Sequence, residues 1–422
     1  MRPVMEVHEP DPKPPRRLTT RCCIVGGGPA GMMLGYLLGR AGIDTLVLEK
    51  HADFLRDFRG DTVHPSTMMV MHELGLLPDF LKRPHQKVDR LSGEFGGAMF
   101  RIADLTRVNA PAPYIAFMPQ WEFLDFMAAQ GSAFPSLAIM RNTEAVDLLR
   151  SEGRVTGVVA RTQDGDIHIA ADLTIGCDGR HSRLRDLAGL MVEDIGAPID
   201  VLWFRIARTG AGDPAFLHAA MGRLMVTIDR GDYWQCAYII AKGQVDALKA
   251  RGLPAFRDAV VEMVPALADH IDDVTSWDDV KLLTVTIDRL RKWSTGGLLC
   301  IGDAAHAMSP VGGVGINLAI QDAVATANIL ADKLRRNAVT DDDLEAVRQR
   351  RLFPATVIQA AQVQIQNRII RRALQAELRP PTIIRLLNTM PLLQRLFGRL
   401  IGMGIRPEHV RSPSGSALPE AR

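Results

Sequence analysis

Residues 21–49 read RCCIVGGGPAGMMLGYLLGRAGIDTLVLE, and the order of apolar runs and glycines in this stretch decides the fold. Arg21–Val25 is a short apolar run, the form taken by a strand buried on both faces of a parallel sheet. Gly26-Gly27-Gly28-Pro29-Ala30-Gly31 fits G-x-G-x-x-G, and Pro29–Arg40 carries a helical pattern that Gly42 can terminate. Asp44–Leu48 reads as a second strand ending at Glu49 and Lys50. Together these make a βαβ unit of about 30 residues, the length a dinucleotide fingerprint needs. Gly26 permits the tight turn, Gly28 lets a pyrophosphate approach the backbone, and Gly31 lets the helix pack close to the strand. The helix N-terminus, around Ala30, offers free N–H groups and a positive dipole end to phosphates. Glu49, about 20 residues beyond the glycines, can accept hydrogen bonds from a ribose, and its charge disfavours a 2′-phosphate. The fingerprint alone does not separate FAD from NAD.

Two later segments repeat the theme. Leu173–Gly179 (LTIGCDG) is a strand running into a turn, followed by Ser182 and Arg185. Gly297–His306 (GLLCIGDAAH) is another buried strand, ending in Gly302-Asp303. Pro310–Asn317 (PVGGVGIN) then leads into a helix from about Leu318 to Arg335, which places a second glycine-rich loop at a helix N-terminus and favours another electronegative group there.

In this order, from about Thr20 to about Arg372, the three segments resemble the Rossmann fingerprint, Asp-Gly and Gly-Asp motifs of single-component flavoprotein monooxygenases, the para-hydroxybenzoate hydroxylase-like aromatic hydroxylases. The resemblance implies an α/β fold: a Rossmann-like FAD-binding domain with an inserted antiparallel β-sheet substrate domain and C-terminal helices. It implies FAD as cofactor, NAD(P)H as a transient reductant, and hydroxylation of an aromatic or polyketide-like small molecule with O₂ through a flavin C4a-hydroperoxide. By the same resemblance, Gly302 and Asp303 hold the flavin's ribityl and ribose region. Asp178 and Gly179 serve FAD and the visiting nicotinamide, and Pro310, Gly313, Gly315, Ile316 and Asn317 hug the isoalloxazine ring. Arg59 falls near the pyrophosphate, Gln120 on the flavin chain, and the Val146 backbone amide at adenine. One departure stands in the loop, where the family often reads Gly-Gly-Gln-Gly: Val314 removes a side-chain donor but leaves the backbone donors. Read without the resemblance, Asp178 is a turn residue, Arg59 a surface cation and Gln120 a helix cap, and His306 reads as structural rather than catalytic.

These motifs divide the chain. Residues 20–90, 112–200 and 285–380 are assigned to a discontinuous FAD-binding domain, and 91–111 with 201–284 to the substrate sheet. Leu91–Ile102, Val201–Ala207, Arg223–Asp229 and Tyr233–Ile240 read as strands, with Arg230-Gly231-Asp232 as a hairpin turn. Trp203, Arg205, Met225, Trp234 and Tyr238 are candidates to line a substrate site. No catalytic base emerges, and Pro310, Arg205 and Tyr238 are the candidates for the chemistry. Asp341–Arg350 and Phe353–Leu374 read as two helices. Residues 381–411 form a C-terminal helical segment whose apolar stretch Thr382–Ile405 is interrupted by arginines and by Pro391. This segment has two readings. It packs on the FAD-binding domain or on a partner copy in a homodimer, or it makes a monotopic membrane contact that delivers a lipophilic substrate. Residues 1–19, rich in proline, and 412–422 read as disordered tails.

Composition bounds the rest. With 50 Lys+Arg against 48 Asp+Glu, the net charge of +2 gives no reason to expect nucleic acid. Cys22, Cys23, Cys177, Cys236 and Cys300 show no zinc spacing, so no metal is expected, and their odd, scattered placement reads as reduced thiols in a cytoplasmic protein. Competing functions are an FAD oxidoreductase without hydroxylation, of polyprenyl-lipid reductase or halogenase type, and a non-enzymatic nucleotide-binding module. The halogenase Trp-x-Trp-x-Ile-Pro signature is absent. No second fingerprint for a nicotinamide is present, in keeping with a reductant that visits.

Overall fold

Arg16–Val25 is the first strand of an eight-stranded sheet in the computed structural model, which describes residues 16–55, 62–95, 97–208, 216–220, 222–374 and 382–415. The last four residues of this strand are buried, as a strand covered on both faces requires. It begins earlier than the composition of the N-terminal tail predicts: Arg16–Thr19 pair in register with Ile167–Ala170, so ladder hydrogen bonds order residues that look solvent-bound. Residues 1–15 lie outside the described residues.

Five parallel strands lie side by side in the order Leu298–Cys300, Gly165–Gly176, Arg16–Val25, Thr45–Leu48 and Leu137–Met140. The chain moves outward from Arg16–Val25 on one side and later returns to its other side, which makes a topological switch point at that strand's carboxyl end. Ligands of open α/β sheets bind at such points. The helix Pro29–Arg40 starts with proline, whose fixed φ suits the first helical turn, and its residues Ala30 to Gly39 are buried. The helix Gly315–Arg335 packs beside it. The stretch Val311–Arg335 is long and apolar enough to cross a membrane by composition, but 78% of its most apolar 18-residue window is buried inside the protein.

A second, seven-stranded sheet runs in the order Lys281–Leu283, Ile199–Ala207, Tyr233–Ala241, Arg223–Asp229, Leu217–Ala220, Arg90–Phe95 and Ala98–Asp104. Two expectations change here. The sheet is mixed rather than antiparallel throughout, because Leu217–Ala220 pairs in parallel with Arg90–Phe95. The single strand read over Leu91–Ile102 is a hairpin, turning where Gly97 adopts a φ of 81°. The Arg230–Asp232 turn forms as read, with Gly231 at a φ of 93° and the Arg230 N–H donating to the Tyr233 carbonyl.

The helices read as Asp341–Arg350 and Phe353–Leu374 are one helix, Asp341–Ile365, which runs through Pro354 and continues as a π turn, Gln366–Ile370. Proline removes a backbone bond and should break the helix. Tertiary packing holds it, with Arg351, Pro354 and Ala355 all buried. The C-terminal segment is a helix pair, Thr382–Thr389 and Pro391–Met403, broken where Pro391 begins the second helix. It lies on the strand Ala98–Asp104 and the helix Pro65–Glu73, where Gly398 meets Asp104 and Gly402 meets Pro65 and Leu105, so it covers the substrate sheet rather than the FAD-binding domain alone. Ser412–Gly415, expected within the second tail, is placed: Ser412 is buried and the Gly415 N–H donates to the Arg40 carbonyl at 2.7 Å. Residues 416–422 lie outside the described residues.

Candidate active site

The first glycine turn is built by close packing. Gly26 has a φ of 109°, and a Cβ there would fall 2.3 Å from the Cys177 carbonyl oxygen; one at Gly31 would fall 1.9 Å from the Gly26 carbonyl oxygen. Neither position admits a side chain. Gly28 differs, because a Cβ there would meet nothing within 4 Å. Its bareness leaves open space over the start of the helix Pro29–Arg40, which has no side-chain cap and no acid in its first turn, so its leading amides face that space. This is the cradle a pyrophosphate fits. Glu49, buried at the end of the next strand, accepts from the Gly27 N–H and the His51 N–H, both at 3.0 Å. Lys50 is exposed and lines an open groove with Asn142, Glu144 and Arg161. Val146 is the extra residue of a β-bulge between Ala145↔Ala160 and Asp147↔Val159, which takes its backbone out of the ladder and leaves it for another partner.

The other two motifs leave the carboxyl ends of the neighbouring strands and arrive at the same place. Gly302, with a φ of 61°, sits where a Cβ would be 3.3 Å from the Ala30 Cβ and 3.2 Å from that of Ala319. Asp303 follows it, with its side chain a third exposed and one oxygen 3.8 Å from an Arg180 guanidinium nitrogen. The Asp178 carboxylate is occupied: it accepts from the Ser182 hydroxyl at 2.5 Å and the Leu184 N–H at 3.1 Å. Burial raises its pKa, and these two donors oppose the rise. Asp178 therefore shapes the turn carrying Gly179, at a φ of 85°, and Arg180, whose carbonyl accepts from Arg185 at 2.6 Å. Arg180 was missed in the sequence; its position directly after Asp-Gly was the available signal.

The glycine-rich loop is pinned from behind. The Thr62 hydroxyl donates to the Gly313 carbonyl at 2.7 Å. The Asn317 side chain donates to the Thr62 and Gly313 carbonyls at 3.0 and 3.3 Å and accepts from the His64 N–H at 2.8 Å and the Thr67 hydroxyl at 2.7 Å. The Asn317 side chain is thus taken up by the protein, which leaves its backbone amide for a cofactor. The helix beginning at Gly315 and Ile316 has no side-chain cap and no acid in its first turn, so it presents free amides to an electronegative ring edge. Thr62, His64 and Thr67 are further residues that sequence reasoning missed, since nothing local marks them. Gln120 is the half-buried first residue of the helix Gln120–Gly131. Arg59 lies outside the described residues.

The substrate sheet sorts its candidates by face. Trp203, Val226 and, directly after the half-buried Pro310, Val311 of the glycine-rich loop each pack against the same core of Val201, Leu224 and Ile239, so this face borders the loop. Arg205, two residues beyond Trp203, shares the face, and its guanidinium lies 5.1 Å over the Tyr233 ring. Tyr238, Trp234 and Met225 are on the opposite face, in the core with Phe256, Val260 and Met263. Tyr238 stacks edge-on with Phe256 at 5.5 Å. Strand alternation therefore removes Tyr238 from the chemistry and Trp234 and Met225 from the lining.

Behind the Gly-Asp turn runs a buried chain of charge. Asp322, fully buried, accepts from the Gly302 N–H at 3.0 Å, lies 2.6 Å from His306 Nε2, and accepts from Arg351 Nε at 2.8 Å. Arg351 also reaches Glu408 at 3.3 Å. Burial pushes the Asp322 carboxyl up, and its bonds to His306 and Arg351 more than offset this, leaving it below its usual pKa. His306 is structural, packed against Trp293 in this network.

Three glycine turns at the carboxyl ends of three adjacent parallel strands, meeting over an open backbone cradle, define the dinucleotide site of a flavin-dependent oxidoreductase. The chain belongs to the FAD binding domain family, which matches residues 19–361. It is 31% identical to the 6-methylpretetramide 4-monooxygenase of Streptomyces rimosus, over 95% of this chain and 96% of that one. Among solved structures it is similar to PqsL, a probable FAD-dependent monooxygenase from Pseudomonas aeruginosa, at a TM-score of 0.72 and 23% identity, covering 84% of this chain and 98% of that one. It is also similar to OxyS anhydrotetracycline hydroxylase from Streptomyces rimosus, at a TM-score of 0.71 and 22% identity, covering 91% and 76%. This chain is an FAD-dependent monooxygenase of a family in which NAD(P)H is the typical reductant.

Proposed function

We propose that the enzyme hydroxylates an aromatic, polyketide-like small molecule held between the Trp203 face of the second sheet and the Pro310–Ile316 loop. The observation that carries this reading is that Trp203 and Val226 of the sheet and Val311 of the loop all pack on one apolar core, so the loop and this face of the sheet border the same space. The Streptomyces rimosus relative, a 6-methylpretetramide 4-monooxygenase, supports an aromatic, polyketide-like substrate. In this reading Gly26, whose N–H is taken by the Leu48 carbonyl, shapes the turn, the amides of Gly28, Ala30 and Gly31 hold the pyrophosphate, Glu49 the ribose, Val146 the adenine, and Gly302 and Asp303 the ribityl chain. Gly179 and Arg180 lie beside Asp303. The Gly313 N–H is taken by the Pro310 carbonyl at 3.0 Å, so the amides of Gly315, Ile316 and Asn317 are the ones that would stabilise negative charge on a bound ring. Bound FAD supplies hydride acceptance from NAD(P)H and the activation of O₂. The chain's own residues position the ring, exclude water through the apolar wall and fix the charge-stabilising amides.

The test uses the FAD-loaded enzyme with a tetracyclic phenolic polyketide and isotopically labelled O₂. Stimulated NAD(P)H oxidation with one labelled oxygen atom in the product is expected. Stimulated oxidation without label in the product would instead mean a flavoenzyme that does not hydroxylate this class. With Asp178→Ala, reduction by NAD(P)H is expected to slow more than FAD binding weakens, because the Arg180 turn loses its anchor; unchanged reduction kinetics would remove that role.

A further inference from the structure

The helix Pro391–Met403 is mounted with its small residues inward and its leucines outward. Its buried positions are Gln394, Gly398 and Gly402. A Cβ at Gly398 would fall 2.1 Å from the Asp104 carbonyl oxygen, and one at Gly402 3.1 Å from Pro65 Cγ, so the backbone is pressed onto the protein. The opposite side carries Leu392, Leu396 and Leu400, spaced at one helical turn and 64%, 54% and 45% exposed. Leu386 of the preceding helix and Met390 at the break between the two helices, 43% and 42% exposed, extend the row. Arg395 and Arg399, also exposed, flank the leucines, and Arg385 is exposed near Leu386. Residues 382–403 contain no Asp or Glu.

Aqueous folding turns such leucines inward, so a row of them held outside by tight glycine packing requires a cover. We infer that this face docks on an anionic phospholipid surface, with the leucines entering the acyl boundary and the arginines meeting headgroup phosphates. The helix is about 20 Å long, too short to span a bilayer core of about 30 Å but suited to lie along its interface. A second copy is the weaker occupant, because a twofold pairing through this face would bring the Arg395 and Arg399 of both copies together, with Asp104 beside Arg395 and no acid within residues 382–403 to relieve them. On its flank the same helix packs Phe397, Ile401 and Met403 against the cluster containing Trp203, Val226 and Phe117. It is therefore the wall between the exterior and the apolar face of the substrate sheet.

The FAD-loaded full chain is mixed with vesicles of phosphatidylcholine alone and of phosphatidylcholine with phosphatidylglycerol, and bound protein is measured by flotation, with oligomeric state followed by sedimentation. Binding to the anionic vesicles, weakened by salt, is expected. Arg395→Gln and Arg399→Gln should each weaken it about fivefold, the equivalent of the ~1 kcal/mol a basic residue contributes at such a surface. Leu392→Gln with Leu396→Gln should abolish it while FAD content and sedimentation stay unchanged. No binding at low salt, equal binding to both vesicle types, or a wild-type dimer that the leucine substitutions convert to monomer would each overturn the proposal.

Discussion

Ala30 and Gly302 stand in direct contact: a methyl placed on Gly302 would lie 3.3 Å from the Ala30 methyl, although 272 positions (302 − 30) separate them in the chain. That contact brings the late Gly-Asp turn against the first turn of the fingerprint helix. One ligand can then touch both the bare backbone at Gly28 and the carboxylate of Asp303.

Gly28→Val is expected to lose FAD without losing the fold. The position has a φ of −76° and open space around it, so valine fits the apoprotein but occupies the cradle. Affinity should fall by about a hundredfold or more, the scale of one or two charge-assisted hydrogen bonds. Flavin absorbance of the purified protein and the unfolding midpoint of the apoprotein check the two halves of this expectation.

Asp303→Ala should weaken FAD binding by roughly tenfold to a hundredfold, the loss of one charge-assisted hydrogen bond. Titration of apoprotein with FAD, followed by fluorescence quenching, measures it. Unaltered affinity would remove Asp303 from the site.

Arg351→Met strands the Asp322 carboxylate in a fully buried place beside His306. Breaking a buried pair from one side costs about 3–5 kcal/mol. The urea midpoint should drop accordingly. FAD should also be released at lower temperature, because the same carboxylate holds the Gly302 N–H.

The two faces of the second sheet predict opposite behaviour for two aromatic residues. Trp203→Ala should raise the KM for the organic substrate and uncouple NAD(P)H oxidation from product formation. Tyr238→Phe, a change inside the core with Phe256, should leave kcat and KM within about twofold, as deletion of a group remote from substrate does. A large kcat loss in Tyr238→Phe would contradict the face assignment.

His64 supplies a pH dependence. Burial holds its imidazole down to about 4, against the opposing bond to the Ile401 carbonyl. Between about pH 6.5 and that value the unfolded chain takes up a proton that the folded one does not. Stability is therefore lost as pH falls through this window, by up to roughly 3 kcal/mol. His64→Gln should flatten the decline in unfolding midpoint between neutral and mildly acid pH. Equal slopes in wild type and variant would show that His64 does not titrate as its burial requires.

The local signals in the sequence were those that depend on neighbours along the chain. Glycines at fixed offsets, a strand before and a helix after them, and the Gly-Asp and Asp-Gly turns all follow from backbone sterics and hydrogen bonding within a few residues, and so the cofactor half of the fold was legible. Pro354 misled because a local rule for breaking helices yielded to the packing of Arg351 and Ala355. The N-terminal tail misled because Arg16–Thr19 gain their order from a strand some 150 residues away, at Ile167–Ala170.

By itself the sequence determined the three turns and the chemistry of the ligand they suit, since a glycine's freedom and a helix's dipole are local properties. Only the tertiary structure decided which face of the second sheet meets the loop, that Asn317 and Asp178 spend their side chains on the protein, and that the C-terminal helix shows its leucines to the outside. Those outcomes depend on which distant surfaces pack together, and alternation along a strand or helix names two faces without saying which is inside.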